Sequence, residues 1–178
     1  VRIELGSDQF FPSVASALAC GRLTVDLGAL VENWRTLAAL SAPARPGAVV
    51  KADAYGLGLS PIVAALYAAG CRDFFVAQPQ EGIDVRAVAP DARIYVITGA
   101  FKGSESAFAV HRLIPLVSSP GQLSAWVESA RQAGAALPFG LHVDTGMNRS
   151  GLTLEEALAA SAGADALKSA GLSLIMSH

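Results

Sequence analysis

Cysteine is scarce in this chain of 178 residues: Cys20 and Cys71 stand far apart, without C-x-x-C spacing or a metal-ligating companion. Neither a zinc site nor a disulfide framework is expected, and free thiols fit a reducing, cytoplasmic compartment. Charge is sparse as well, at 16% of residues, and 13 basic against 15 acidic groups leave a formal charge of −2. Aromatics make up only 7% of the chain and no basic stripe is visible, which argues against a nucleic-acid surface. Long apolar runs are missing too. Polar groups, Gly or Pro interrupt each one before the roughly 18 residues that a bilayer crossing needs, so the positive mean hydropathy reflects alanine-rich packed helices. No membrane partner is expected. Internal repeats and low-complexity tracts are also lacking.

What is present is alternation. After a lead-in over residues 1–22, acidic where a secretory leader would be basic, short β-branched runs alternate with longer helical patterns about six times, the mark of parallel βαβ units. The strand candidates are Ala48 to Lys51, Asp73 to Ala77, Ile94 to Thr98, Leu113 to Val117, Phe139 to Asp144 and Leu172 to Ser177. All are short and uniformly apolar, as buried parallel strands are. Helix starts are readable between them. Asp26 can cap a helix with apolar Leu27, Leu30, Val31, Trp34 and Leu37 at helical spacing. Ser60-Pro61 and Ser119-Pro120 each offer a cap followed by Pro, and Thr153 with Glu156 fits a capping box.

Periodicity alone accepts either an open doubly wound sheet or a (β/α)8 barrel. The strand ends discriminate: Lys51, Asp144 and His178 each follow an apolar run, and only a barrel gathers such distant strand ends at one mouth. The α/β fold expected is therefore a TIM-type (β/α)8 barrel. An eight-stranded barrel typically needs about 250 residues, so the barrel is incomplete, with about six β/α units.

Lys51 closes an apolar strand and precedes a loop with Gly56 and Gly58. A desolvated lysine has a lowered pKa and suits Schiff-base chemistry with a carbonyl, whereas a lysine that snorkels out of a strand end would be the bland alternative. The two glycines do not make a dinucleotide fingerprint, because the third glycine of G-x-G-x-x-G is out of place.

The stretch Val50-Lys51-Ala52-Asp53-Ala54-Tyr55-Gly56-Leu57-Gly58 resembles the cofactor-lysine motif of alanine racemases, fold-type III enzymes that use pyridoxal 5'-phosphate. Asp144-Thr145-Gly146-Met147-Asn148-Arg149-Ser150-Gly151 resembles the family's second signature. Leu23 to Leu27 with Ala29, Leu30 and Asn33 is similar to its opening strand and helix, and Ile175-Met176-Ser177-His178 to a later strand ending in histidine. The resemblance covers residue 23 to residue 178.

It implies a racemase that interconverts L- and D-alanine, a small amino-acid substrate, for cell-wall precursors. Lys51 would be the catalytic residue, holding the cofactor by its aldehyde and then serving as a base on one face of the substrate Cα. Tyr55 would help hold the cofactor phosphate, Arg149 would bond its phenolic oxygen, and His178 would lie against its ring. Asp144 would shape its turn rather than perform chemistry, and His111 would lie at the surface.

His142 departs from the family, which often carries a lysine there, sometimes carbamylated. Orientation of Arg149 would then need another anion or a direct hydrogen bond. The resemblance further implies a homodimer in the complete protein and an opposite-face base from a C-terminal β-domain that residues 23–178 do not include, so this stretch alone is expected to be inactive. A broader-specificity racemase of the same fold and a non-catalytic pyridoxal-phosphate homeostasis protein are the rival readings.

Overall fold

The computed structural model describes residues 3–5 and 23–178. Most of the lead-in, with Cys20, lies outside the described residues. Strand β1 (Ile3–Leu5) pairs in parallel with β2 (Leu23–Val25) as a separate two-stranded sheet. Helix α1 (Leu27–Ser41) follows, and its Asp26 cap accepts the Ala29 N–H at 2.9 Å as its sequence requires.

The main sheet has six parallel strands in sequential order: β3 (Ala48–Val49), β4 (Asp73–Val76), β5 (Arg93–Val96), β6 (Leu113–Val117), β7 (Phe139–His142) and β8 (Leu172–Met176). A doubly wound sheet reverses its order at a switch point, and this one does not. Crossover connections are right-handed in nearly all proteins, so an unreversed order puts every helix on one face and leaves the other to close on itself. The described strands are therefore part of a (β/α) barrel, with β3 and β8 as the end strands of an unclosed sheet.

Between the strands lie α2 (Lys51–Gly56), α3 (Leu59–Ala68), α4 (Pro79–Val88), α5 (Glu105–His111), α6 (Pro120–Ala133), α7 (Leu154–Ser161) and α8 (Ala164–Ala170). Ser119 caps α6 through the Gln122 N–H, and Thr153 with Glu156 forms the reciprocal box at the start of α7. Ser60-Pro61 is a correction. Helix α3 begins one residue earlier, at Leu59, whose N–H is taken by the Asp53 carboxylate at 2.6 Å, so Ser60 is already helical. A side chain six residues upstream displaces the local cap.

Alternation along the strands sorts two apolar layers. Phe74, Val76, Ile94, Val96, Val117, Phe139 and Leu141 pack under the helices. Phe75, Tyr95, Ile97, Ile114, Leu116, Leu174 and Met176 make the barrel interior, where the Phe75 and Tyr95 rings stack at 4.7 Å. At the N-terminal end of this interior, Arg93 grips the Asp73 carboxylate with two nitrogens. At the same end Arg86 donates to the carbonyls of His111, Pro90, Ala92 and Arg112. His111 is accordingly half-buried at a helix end rather than free on the surface.

Candidate functional site

The six strands are parallel, so their C-terminal ends share one mouth, and every site residue expected from the sequence falls there. Lys51 follows β3, Arg149 stands on the β7–α7 loop, and His178 follows β8. One expectation needs correcting: β3 stops at Val49, and Lys51 opens α2 rather than ending the strand.

That segment is unusual. Ala52, Asp53, Ala54 and Tyr55 all have φ between +52° and +58° and ψ between +34° and +52°, a left-handed turn of four consecutive non-glycine residues. Left-handed backbone costs roughly 1–2 kcal/mol per L-residue, so the turn persists only where its surroundings hold it. Within it the Ala54 N–H reaches the Val50 carbonyl at 3.0 Å. The Ala52 N–H goes to Glu81 Oε1 at 2.6 Å, and Asp53 Oδ1 takes the Leu59 N–H at the far end. The result projects Lys51 and Tyr55 together, with Nζ 5.9 Å from the centroid of the Tyr55 ring, which is itself 62% exposed.

The second signature makes a pinched loop. Asp144 accepts the N–H groups of Gly146 at 2.9 Å and Asn148 at 3.1 Å, which holds its carboxyl below the usual range and fits the turn-shaping role expected of it. The neck is closed by Leu152 N–H to His142 O and Asp144 N–H to Leu152 O, both 2.8 Å. Gly151 sits in that neck at φ +119°, where a Cβ would lie 2.6 Å from the Asp144 nitrogen. Thr145 and Ser177 hydroxyls join the loop to the end of β8.

Arg149 meets His178. One guanidinium nitrogen is 3.1 Å from Nδ1 and 3.2 Å from Nε2. Near-equal distances to both ring nitrogens put that nitrogen along neither lone pair. The site residues thus form two pairs, Lys51 with Tyr55 and Arg149 with His178, at opposite ends of the sheet, and no hydrogen bond or ion pair between described residues joins one pair to the other. Among the described residues no carboxylate comes within 4 Å of the Lys51 or Arg149 nitrogens.

His142 is 4% exposed and neither ring nitrogen has a partner. Its register partner is Met176 of the interior layer, so it faces into the barrel. Burial first, then the charges of His178 and Arg149, push its pKa below the ordinary value, and Asp144 opposes them. The direct bond to Arg149 is not made: Arg149 turns to His178 instead. Glu81 is the residue that sequence reasoning passed over. Its place in Gln78-Pro79-Gln80-Glu81 signals a helix start, but nothing local signals its reach to residue 52.

A family model described as "Alanine racemase, N-terminal domain" matches residues 25–178. Among curated proteins, the alanine racemase of Rhizobium meliloti (strain 1021) is 49% identical over 162 residues, 90% of this chain and 42% of that protein. The biosynthetic alanine racemase of Agrobacterium fabrum (strain C58) is 52% identical over 137 residues, 77% of this chain and 35% of that protein. A crystal structure of alanine racemase from Bartonella henselae with covalently bound pyridoxal phosphate superposes with a TM-score of 0.82 at 38% identity, covering 86% of this chain and 45% of that one. The chain thus spans about two fifths of the length of these relatives. With the match running through both signature loops and all six barrel strands, the chain belongs to the alanine racemase N-terminal domain family.

Proposed function

We propose that this chain is the cofactor-binding barrel portion, over residues 23–178, of a pyridoxal 5'-phosphate-dependent alanine racemase that interconverts L- and D-alanine for cell-wall precursor supply. The observation that carries the reading is the mouth itself. A primary amine with a phenol beside it and a guanidinium with an imidazole beside it stand at the same, C-terminal end of the parallel strands, at the two edges of the sheet, and no carboxylate of the described residues neutralises Lys51 or Arg149. That set fits a flat, anionic aldehyde. The named relatives point the same way.

Bound there, the cofactor supplies an electron sink for the charge left on Cα when a proton is removed. The chain's residues do the rest. Lys51 Nζ anchors the aldehyde carbon and later takes or returns the Cα proton on its own face. Its place just after β3, on a strained and fixed turn, limits where that nitrogen can travel. Tyr55 Oη would donate to the phosphate and Arg149 to the phenolic oxygen, and His178 would pack against the cofactor ring. Proton exchange on the opposite face needs a second group from outside residues 23–178, supplied in a homodimer by the partner's C-terminal β-domain. The complete enzyme works in the cytoplasm, and residues 23–178 alone do not turn over.

The test is intact mass of the full-length protein after incubation with pyridoxal phosphate and borohydride reduction. One adduct is expected, absent in Lys51→Ala, together with alanine racemisation that the same variant abolishes and that is fastest for alanine among amino acids tried. An adduct that survives in Lys51→Ala would overturn the reading.

A further inference from the structure

Glu81 has no part in the function proposed above, yet its carboxylate gathers three backbone donors from two places in the fold. Oε2 accepts the N–H groups of Ala77 at 2.8 Å and Gln78 at 3.0 Å, which is ordinary helix-start satisfaction. Oε1 does something a helix start does not require. It accepts the N–H of Ala52, 29 residues earlier and next to Lys51, at 2.6 Å.

We infer that Glu81 is a positioning residue for Lys51: it clamps the left-handed turn to the β4–α4 loop and thereby aims the amine into the barrel mouth. The last ladder bond between β3 and β4 runs from the Val50 N–H to the Phe75 carbonyl. Past that point the strands no longer hold each other, and Glu81 carries the connection one step further. A neutral amide could not replace it. Three converging N–H donors need acceptor oxygens on both sides, and glutamine would turn an NH2 toward one of them. A charged acceptor also makes stronger bonds to N–H groups than a neutral one. Asp53 ties the turn to the start of the next helix at Leu59, so the left-handed segment is pinned to the β4–α4 loop through Ala52 and to α3 through Asp53 while Lys51 keeps its freedom only in the side chain.

This inference rests on the reading of Lys51 as the reacting amine, and the experiment separates the two. In the full-length protein, Glu81→Gln and, as a control on the same helix, Asp84→Asn are compared with wild type. Among the described residues Asp84 accepts a side-chain hydrogen bond only from Gln80, in its own helix. Two quantities are read: amide hydrogen exchange over residues 50–58, and the rate at which pyridoxal phosphate forms its borohydride-trapped adduct on Lys51. Glu81→Gln should raise exchange in that segment above the change elsewhere and slow adduct formation about ten- to a hundredfold, with Asp84→Asn unchanged in both. Unaltered exchange and an unaltered rate, or exchange rising equally throughout the chain, overturns the clamp. A wild type that takes no adduct would sink the reading of Lys51, while the exchange comparison would still decide the clamp.

Discussion

Replacing Gly151 with alanine should open the loop that carries Arg149. Gly151 has φ +119°, and a Cβ there would stand 2.6 Å from the Asp144 nitrogen, 2.9 Å from the Val143 carbonyl carbon and 3.2 Å from the His142 oxygen. All three are backbone atoms, which cannot swing aside as a side chain could. Holding alanine at such a φ costs about 1–3 kcal/mol. Relieving the clash means parting the neck and losing one or both of its hydrogen bonds, each worth about 1 kcal/mol net. The expected destabilisation is about 1–3 kcal/mol of backbone strain, with the unrelieved clash added, if the neck stays closed. It is less if the loop opens by itself. Urea unfolding of the full-length protein measures the first case, and hydrogen exchange over residues 143–152 detects the second. Where the neck parts, Arg149 leaves His178 and cofactor retention weakens although Lys51 is untouched. A variant with stability within about 0.5 kcal/mol of wild type, unchanged exchange in the loop and unchanged cofactor retention would refute the argument.

Two further outcomes follow from the packing. His142 is buried with its pKa held below the ordinary 6.5, so the unfolded chain takes up its proton first. Its contribution is intact above about pH 6.5 and is lost as pH falls toward the folded-state value. His142→Leu should therefore shrink the loss of urea midpoint between about pH 7.5 and about pH 5.5; equal losses in variant and wild type would count against it. Trp126 is 3% exposed, meets Phe108 edge-on at 5.7 Å and donates Nε1–H to the Leu137 carbonyl at 3.0 Å. Trp126→Ala should cost about 3–5 kcal/mol in chemical denaturation, and a cost under about 1 kcal/mol would show that the site collapses around the gap.

Much of the fold was legible locally. Leu113 to Val117 is a strand over its whole expected length, and the caps at Asp26, Ser119 and Thr153 act where their residue types place them. The strand ends were less legible. Asp73 to Ala77, Phe139 to Asp144 and Leu172 to Ser177 each stop one or two residues early. Ala48 to Lys51 loses two residues because the chain turns left-handed under Glu81 and Asp53. Little in Ala52-Asp53-Ala54-Tyr55 favours that backbone, since none of the four is glycine and only Asp53 is of a type that visits it with any frequency.

The sequence by itself determined the alternation of parallel strands and helices, the identity of the residues at the mouth and the family to which they belong, because these depend on residue type, spacing and nearest-neighbour hydrogen bonding. The tertiary structure decided how those residues meet. It brought Arg149 against His178, left both nitrogens of His142 without partners, and brought Glu81 to the Lys51 turn. Each of these joins positions about 30 residues apart, or isolates one from water, and only strands hydrogen-bonded side by side create such neighbours.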